Sequence, residues 1–87
     1  MTIKKSEKKI LITNKLGLHA RAASKFVNIS SRLQSKTLVQ KGKNIVTGTS
    51  ILGLMSLAAT KGSEIKISCA GKEPKKDLSE LVELVRR

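Results

Sequence analysis

Aromatic side chains are nearly missing from this 87-residue chain, which has no tryptophan, no tyrosine and a single phenylalanine, Phe26. Without aromatics there is no platform on which nucleobases can stack. The lone cysteine, Cys69, excludes an intramolecular disulfide, and one cysteine with one histidine, His19, cannot assemble a structural zinc site. The longest apolar run, around Ile51 to Ala59, is too short and too interrupted to span a bilayer. No signal-peptide core follows the basic stretch Lys4 to Lys9, because Ile10-Leu11-Ile12 runs into Thr13, Asn14 and Lys15. These absences predict a cytoplasmic chain with no membrane segment. A Gly-rich nucleotide loop is also lacking, no paired carboxylates accompany the histidine, and a chain this short forms one domain, residues 1–87, with no deep pocket. A self-contained enzyme, a metal site and a bound cofactor are therefore not expected.

Acidic residues are scarce as well: six against 18 basic ones, for a formal net charge of +12. Such an excess suits acidic partners, and binding to a nucleic-acid backbone is its sharpest form. The lysines, however, lie at both ends and in most loops, which fits a solvated surface better than a nucleic-acid face.

What is present has a clear order. Residues 1–7 read as a frayed polar start, and Lys8 to Thr13 alternates with Ile10 and Ile12 on one side, as a first strand. From Ala20 the period changes. Ala22, Phe26, Ile29 and Leu33, flanked by Ala23 and Val27, form one helical stripe, with Arg21, Ser24, Lys25, Asn28 and Arg32 on the polar face. Ser35 to Lys41 and Asn44 to Gly48 read as strands joined by a hairpin at Lys41-Gly42-Lys43. Thr49 or Ser50 can cap a short helix through Ile51, Leu52, Leu54, Met55, Leu57 and Ala58. That helix carries too many large apolar residues for one stripe, so some are expected at the surface as a docking patch.

A fourth strand follows over Glu64 to Ala70, with Ile65, Ile67 and Cys69 on its core face, the cysteine serving as a small core residue. A last helix starts near Pro74 and buries Leu78, Leu81, Val82 and Val85, with Arg86 and Arg87 at its C-terminus. The order β-α-β-β-α-β-α predicts an α+β open-faced β-sandwich: a four-stranded, mainly antiparallel sheet with three helices on one face and solvent on the other.

The stretch Gly17-Leu18-His19-Ala20-Arg21 stands where the strand period gives way to the helix period. Unpaired backbone N–H groups at a helix start favour an anion, and Arg21 adds a guanidinium that can fork onto phosphate oxygens. An imidazole with its ordinary pKa of ~6.5 is largely neutral, and so nucleophilic, near pH 7. By itself, a histidine in this position is more often a capping or surface residue than a phosphoryl acceptor.

Joined with Ser50-Ile51-Leu52-Gly53-Leu54-Met55-Ser56-Leu57, which begins 31 residues after His19, the first motif strongly resembles the HPr family, the histidine phosphocarriers of the bacterial phosphoenolpyruvate-dependent phosphotransferase system. The resemblance covers almost the whole chain. It implies that His19 accepts a phosphoryl group on Nδ1 from enzyme I and donates it to the histidine of an EIIA-type protein. Arg21 would hold the phosphate, with the backbone N–H groups of Ala20 and Arg21 as further donors. It also implies that Ser50 is a regulatory site for HPr kinase/phosphorylase, and that Ile51, Leu52 and Met55 dock the partners of a monomeric carrier. Neither nucleic acid nor a membrane is implied as a partner.

One departure stands out: the family usually has proline directly after the arginine, where this chain has Ala22. Alanine is a good first-turn residue, so the helix should survive with one more N–H available. Together with Thr49 to Met55 and Ala58-Ala59, Ala22 is more like the alphaproteobacterial nitrogen-type branch than the sugar-transport form. The alternatives are an HPr-like regulator that binds without carrying phosphate, which His19 and Arg21 oppose, and a basic nucleic-acid-binding module.

Overall fold

Alternation of Ile65, Ile67 and Cys69 with Lys66 and Ser68 gives one strand a wholly apolar face, and that strand lies at the centre of the sheet. The computed structural model describes residues 3–86, ordered as β1 (Lys4–Leu11), α1 (Ala20–Ser30), β2 (Lys36–Lys41), β3 (Asn44–Thr47), α2 (Ile51–Ser56), β4 (Glu64–Gly71) and α3 (Pro74–Arg86). The sheet order is β1-β4-β2-β3, and every pairing is antiparallel. This is the expected α+β open-faced architecture. Ile10, Val39, Ile65, Ile67 and Cys69 from the sheet meet Ala23, Phe26, Leu54, Leu78, Leu81, Val82 and Val85 from the three helices in one core.

The first strand is longer at its start than the sequence suggests. It begins at Lys4, within the stretch read as frayed, and stops at Leu11 before Ile12 and Thr13; residues 1–2 lie outside the described part. Only Ile10 is buried within it. The polar half is held by the ladder to β4, with Lys4 opposite Gly71 and Leu11 opposite Glu64, and a backbone ladder leaves no mark in side-chain periodicity. On the open face Glu7 accepts a bond from the Ser68 hydroxyl at 3.1 Å and pairs with Lys5 and Lys66 at 3.5 and 3.6 Å. The Ser68 bond, then the two ammonium groups, hold its carboxyl below the usual range. That face is not purely polar, since Leu11 and Ile45 stand exposed on it.

The stripe of α1 is rotated from the expected one. Ala23, Phe26 and Ser30 are its buried positions, Ala22, Val27 and Ile29 lie half-buried, and Leu33 falls in the turn beyond the helix. Ser30 turns inward because its hydroxyl donates to the carbonyls of Gly48 and Val27, which a search for apolar periodicity passes over. Pro74 is the first residue of α3 as expected, and Arg86 lies in its last turn; Arg87 is outside the described residues. In the same helix Asp77 is buried and accepts the Ser35 N–H at 3.1 Å, fastening α3 to the start of β2. Cys69 sits in the core as expected, and burial pushes its thiol pKa up.

In α2 the structure buries Leu54, with Leu57 following at the C-cap. Ile51, Leu52 and Met55 are 39%, 81% and 41% exposed. The helix also ends early, at Ser56, because Ala58 takes a left-handed φ of 51° and turns the chain toward β4. Replacing Leu54 by alanine should therefore destabilise the fold by about 2–5 kcal/mol, and Leu52→Ala by less than about 0.5 kcal/mol, in urea denaturation. Similar losses from both would place α2 in the wrong rotation.

Candidate functional site

The site is built on the connection between β1 and α1. Asn14 starts it: its side-chain amide donates to the Gly17 carbonyl at 2.9 Å, and its own carbonyl accepts the Gly17 N–H at 3.2 Å. Gly17 takes φ +66°, and a Cβ there would stand 2.3 Å from the Ala59 carbonyl oxygen. The Leu18 N–H donates to that same oxygen at 2.9 Å. Only glycine satisfies both the conformation and the approach. The loop is thus fastened to the segment after α2, where the Lys41 ammonium donates to the Ala58 carbonyl at 2.9 Å.

His19 comes next, half-buried, as the N-cap of α1, with extended backbone (φ −80°, ψ 177°) and no capping bond from its side chain. Its carbonyl accepts the Ala23 N–H at 2.9 Å, the first bond of the helical ladder. The N–H groups of Ala20, Arg21 and Ala22 precede that bond and have no acceptor within the helix. Ala22 adds the third of them, and the helix forms without proline at that position, as expected. No acidic residue lies in the first turn, so the positive end of the helix is not neutralised by its own side chains.

A depression of about 480 Å³ opens beside the imidazole, bordered by Arg21, Lys25, Asn28 and Arg32 on one side and by Leu84 and Val85 of α3 on another. His19 and Arg21 are therefore brought together, as the sequence predicts. Lys25, Asn28 and Arg32 were not singled out as site residues. Their signal is present, because with Arg21 they recur at i, i+4, i+7 and i+11, the spacing of one helix face. The wall from α3 has no signal near the motif, since tertiary packing brings it in.

Ser50 is the N-cap of α2, and its Oγ accepts the Gly53 N–H at 3.0 Å. Neither Ser50 nor Ile51, Leu52 and Met55 borders the depression. They form a separate exposed surface on α2, which packs against α1 and is tied to the His19 loop through Ala59. Among the described residues no group of three or more histidine, cysteine or acidic side chains could hold a metal, and no helix is long and apolar enough to cross a membrane.

A half-buried histidine at an open, positive helix end, on an open-faced sandwich with a basic depression beside it, defines a small anion-facing histidine module. The family follows from comparison with known proteins. The profile of PTS-HPr, described as the PTS HPr component phosphorylation site, matches residues 6–87. The chain is 43% identical over 76 residues to phosphocarrier protein HPr of Neisseria meningitidis, covering 87% of this chain and 85% of that one. It is 33% identical over 81 residues to phosphocarrier protein NPr of Shewanella violacea, covering 93% and 89%. A crystal structure of HPr from Bacillus anthracis superposes with a TM-score of 0.89 at 33% identity, covering 94% of this chain and 98% of that one. The chain belongs to the HPr family.

The seat of the loop can be checked by a pair of substitutions at positive φ. Gly42, at φ +58°, has nothing within 4 Å of where a Cβ would stand. Gly42→Ala should cost about 1 kcal/mol, whereas Gly17→Ala should add the clash with Ala59 and cost at least about 2 kcal/mol in thermal unfolding. Equal losses would mean that Gly17 is needed for its φ alone.

Proposed function

We propose that His19 is the residue on which this phosphotransferase-system carrier holds its phosphoryl group, with Arg21 as the phosphate clamp. The single observation that carries the reading is the placement of the only histidine at the head of three N–H groups that no helical carbonyl accepts, with an arginine in the same turn. Nδ1 attacks phosphorus in line, its lone pair forming the new P–N bond as the bond from phosphorus to the donor breaks and the donor keeps that electron pair. The phosphoryl oxygens then take charge-assisted bonds from the first-turn N–H groups and the Arg21 guanidinium. The dipole alone contributes about 0.3–1 kcal/mol at an exposed helix end. Transfer onward reverses these motions. The site is shallow, so the partner supplies the rest of the reaction environment, and the chain acts as a carrier and not as a stand-alone catalyst.

The donor in this reading is enzyme I and the acceptor an EIIA-type protein, both meeting a cytoplasmic monomer of one domain over the exposed face of α2. Ile51, Leu52 and Met55 supply its apolar contacts, and the basic row along α1 suits acidic partner surfaces. Ser50 is the regulatory position. Phosphorylation by HPr kinase/phosphorylase would place a dianion beside those apolar side chains, where an acidic partner is repelled and the charge is poorly desolvated.

Incubation with phosphoenolpyruvate and enzyme I should give an acid-labile adduct of one phosphate, seen by intact mass, that His19→Ala lacks; an equally phosphorylated variant overturns the assignment. Presenting the phosphorylated chain to a sugar-specific and to a nitrogen-type EIIA reads the branch directly from which protein gains the label. Ser50→Asp should weaken enzyme I binding by roughly tenfold, ~1.4 kcal/mol, in titration calorimetry. Unchanged affinity and transfer rate would remove Ser50 from regulation.

A further inference from the structure

Six of the chain's lysines gather around the C-terminal end of β4, at the pole of the sheet away from His19. Lys4 lies opposite Gly71, and Lys5 and Lys36 flank Ala70 from the two neighbouring strands, so Lys5 and Lys36 stand only about 10 Å apart. Lys72 follows in the corner, and Lys75 and Lys76 occupy the first turn of α3. Lys4, Lys5, Lys72, Lys75 and Lys76 border one depression of about 540 Å³, with Glu73 as the only carboxylate among its walls. Lys5 is shared with Glu7 at 3.5 Å; among the described residues Lys4, Lys72, Lys75 and Lys76 form no ion pair.

This cluster is separate from the phosphoryl site. The C-terminal residues Leu84 and Val85 of α3 border the His19 depression, and Pro74 to Lys76 at its start border this one, so the stretch of helix from Lys76 to Leu84 separates the two walls by roughly 12 Å. Four unpaired ammonium groups around one hollow repel one another, and a multivalent anion removes that repulsion on binding. The hollow lies within the ~300–1,000 Å³ of small-molecule sites. No aromatic side chain borders it. That disfavours recognition of a base, and lysines bind phosphates as point charges without demanding a fixed fork.

The geometry points to a binding site for a small polyphosphorylated anion, a linear run of three or more phosphates, held by Lys4, Lys72, Lys75 and Lys76. The chemistry is shared by free inorganic polyphosphate and by the phosphate tail of a nucleoside triphosphate. The native chain, titrated calorimetrically with metal-free tripolyphosphate at matched ionic strength, should bind one equivalent, with affinity falling steeply as salt rises.

Three variants locate the site. Lys72→Gln/Lys75→Gln/Lys76→Gln should lose at least tenfold in affinity while still accepting phosphate from enzyme I at the native rate. Lys9→Gln/Lys43→Gln/Lys61→Gln, with the same net charge, should stay within twofold of native, and so should His19→Ala/Arg21→Ala. No binding by the native chain, equal loss in both lysine triples, or loss in the His19 variant would overturn the proposal. Adenosine triphosphate should bind about as tightly as tripolyphosphate. Tenfold tighter binding of the nucleotide, or of an oligouridylate with the same number of charges, would also overturn it.

Discussion

The Ala59 carbonyl is the point on which the His19 loop and the segment leaving α2 meet. It accepts the Leu18 N–H at 2.9 Å, and Gly17 lies so close that a side chain at that position would occupy the oxygen's place. One hydrogen bond and one close approach thus hold the residue before His19 against the segment that leaves α2. The same segment carries the left-handed Ala58, whose carbonyl receives the Lys41 ammonium. The histidine at the head of α1 and the apolar surface of α2 are therefore parts of one seat, although Ser50 and His19 are 31 residues apart in sequence. A partner that presses on Leu52 or Met55 is touching the element that holds the histidine's loop.

Much of this was legible in the residues. The switch of period at Ala20, the hairpin at Gly42, the capping Ser50 and the central apolar alternation of Ile65, Ile67 and Cys69 are local signals, and each appears in the structure where the pattern puts it. The surplus of apolar residues on α2 was a subtler signal, and it correctly announced side chains left at the surface. Features set by tertiary contacts were less visible. The polar half of β1 is a strand because β4 offers it a ladder, the face of α1 is turned by a serine that finds the Gly48 carbonyl, and α2 ends where the chain must swing back toward the sheet. The polar row Arg21, Lys25, Asn28 and Arg32 had the right spacing, but it acquires meaning only when α3 closes the far side of the hollow.

Charge on this molecule is abundant but not uniform. The His19 depression combines basic side chains with an uncapped helix start and apolar residues of α1 and α3. At the other pole the ammonium groups come from β1, the corner after β4 and the first turn of α3. The helix α3 runs from one pole to the other and is fixed in that span by Asp77, which grips the Ser35 N–H at its start, and by Leu78, Leu81, Val82 and Val85 along its length.

The two outer strands of the sheet have a further consequence, for life in a crowded solution. An open sheet ends in rows of unpaired N–H and C=O groups, which invite a second copy to extend the ladder. On β1 that row belongs to a strand bearing Lys4, Lys5, Lys8 and Lys9, so two such edges approaching each other bring like charges face to face. On β3 the row is only four residues long and lies next to a turn containing Lys43. Part of the lysine excess thus lies along an open edge of the sheet, where like charge opposes the pairing of two such edges.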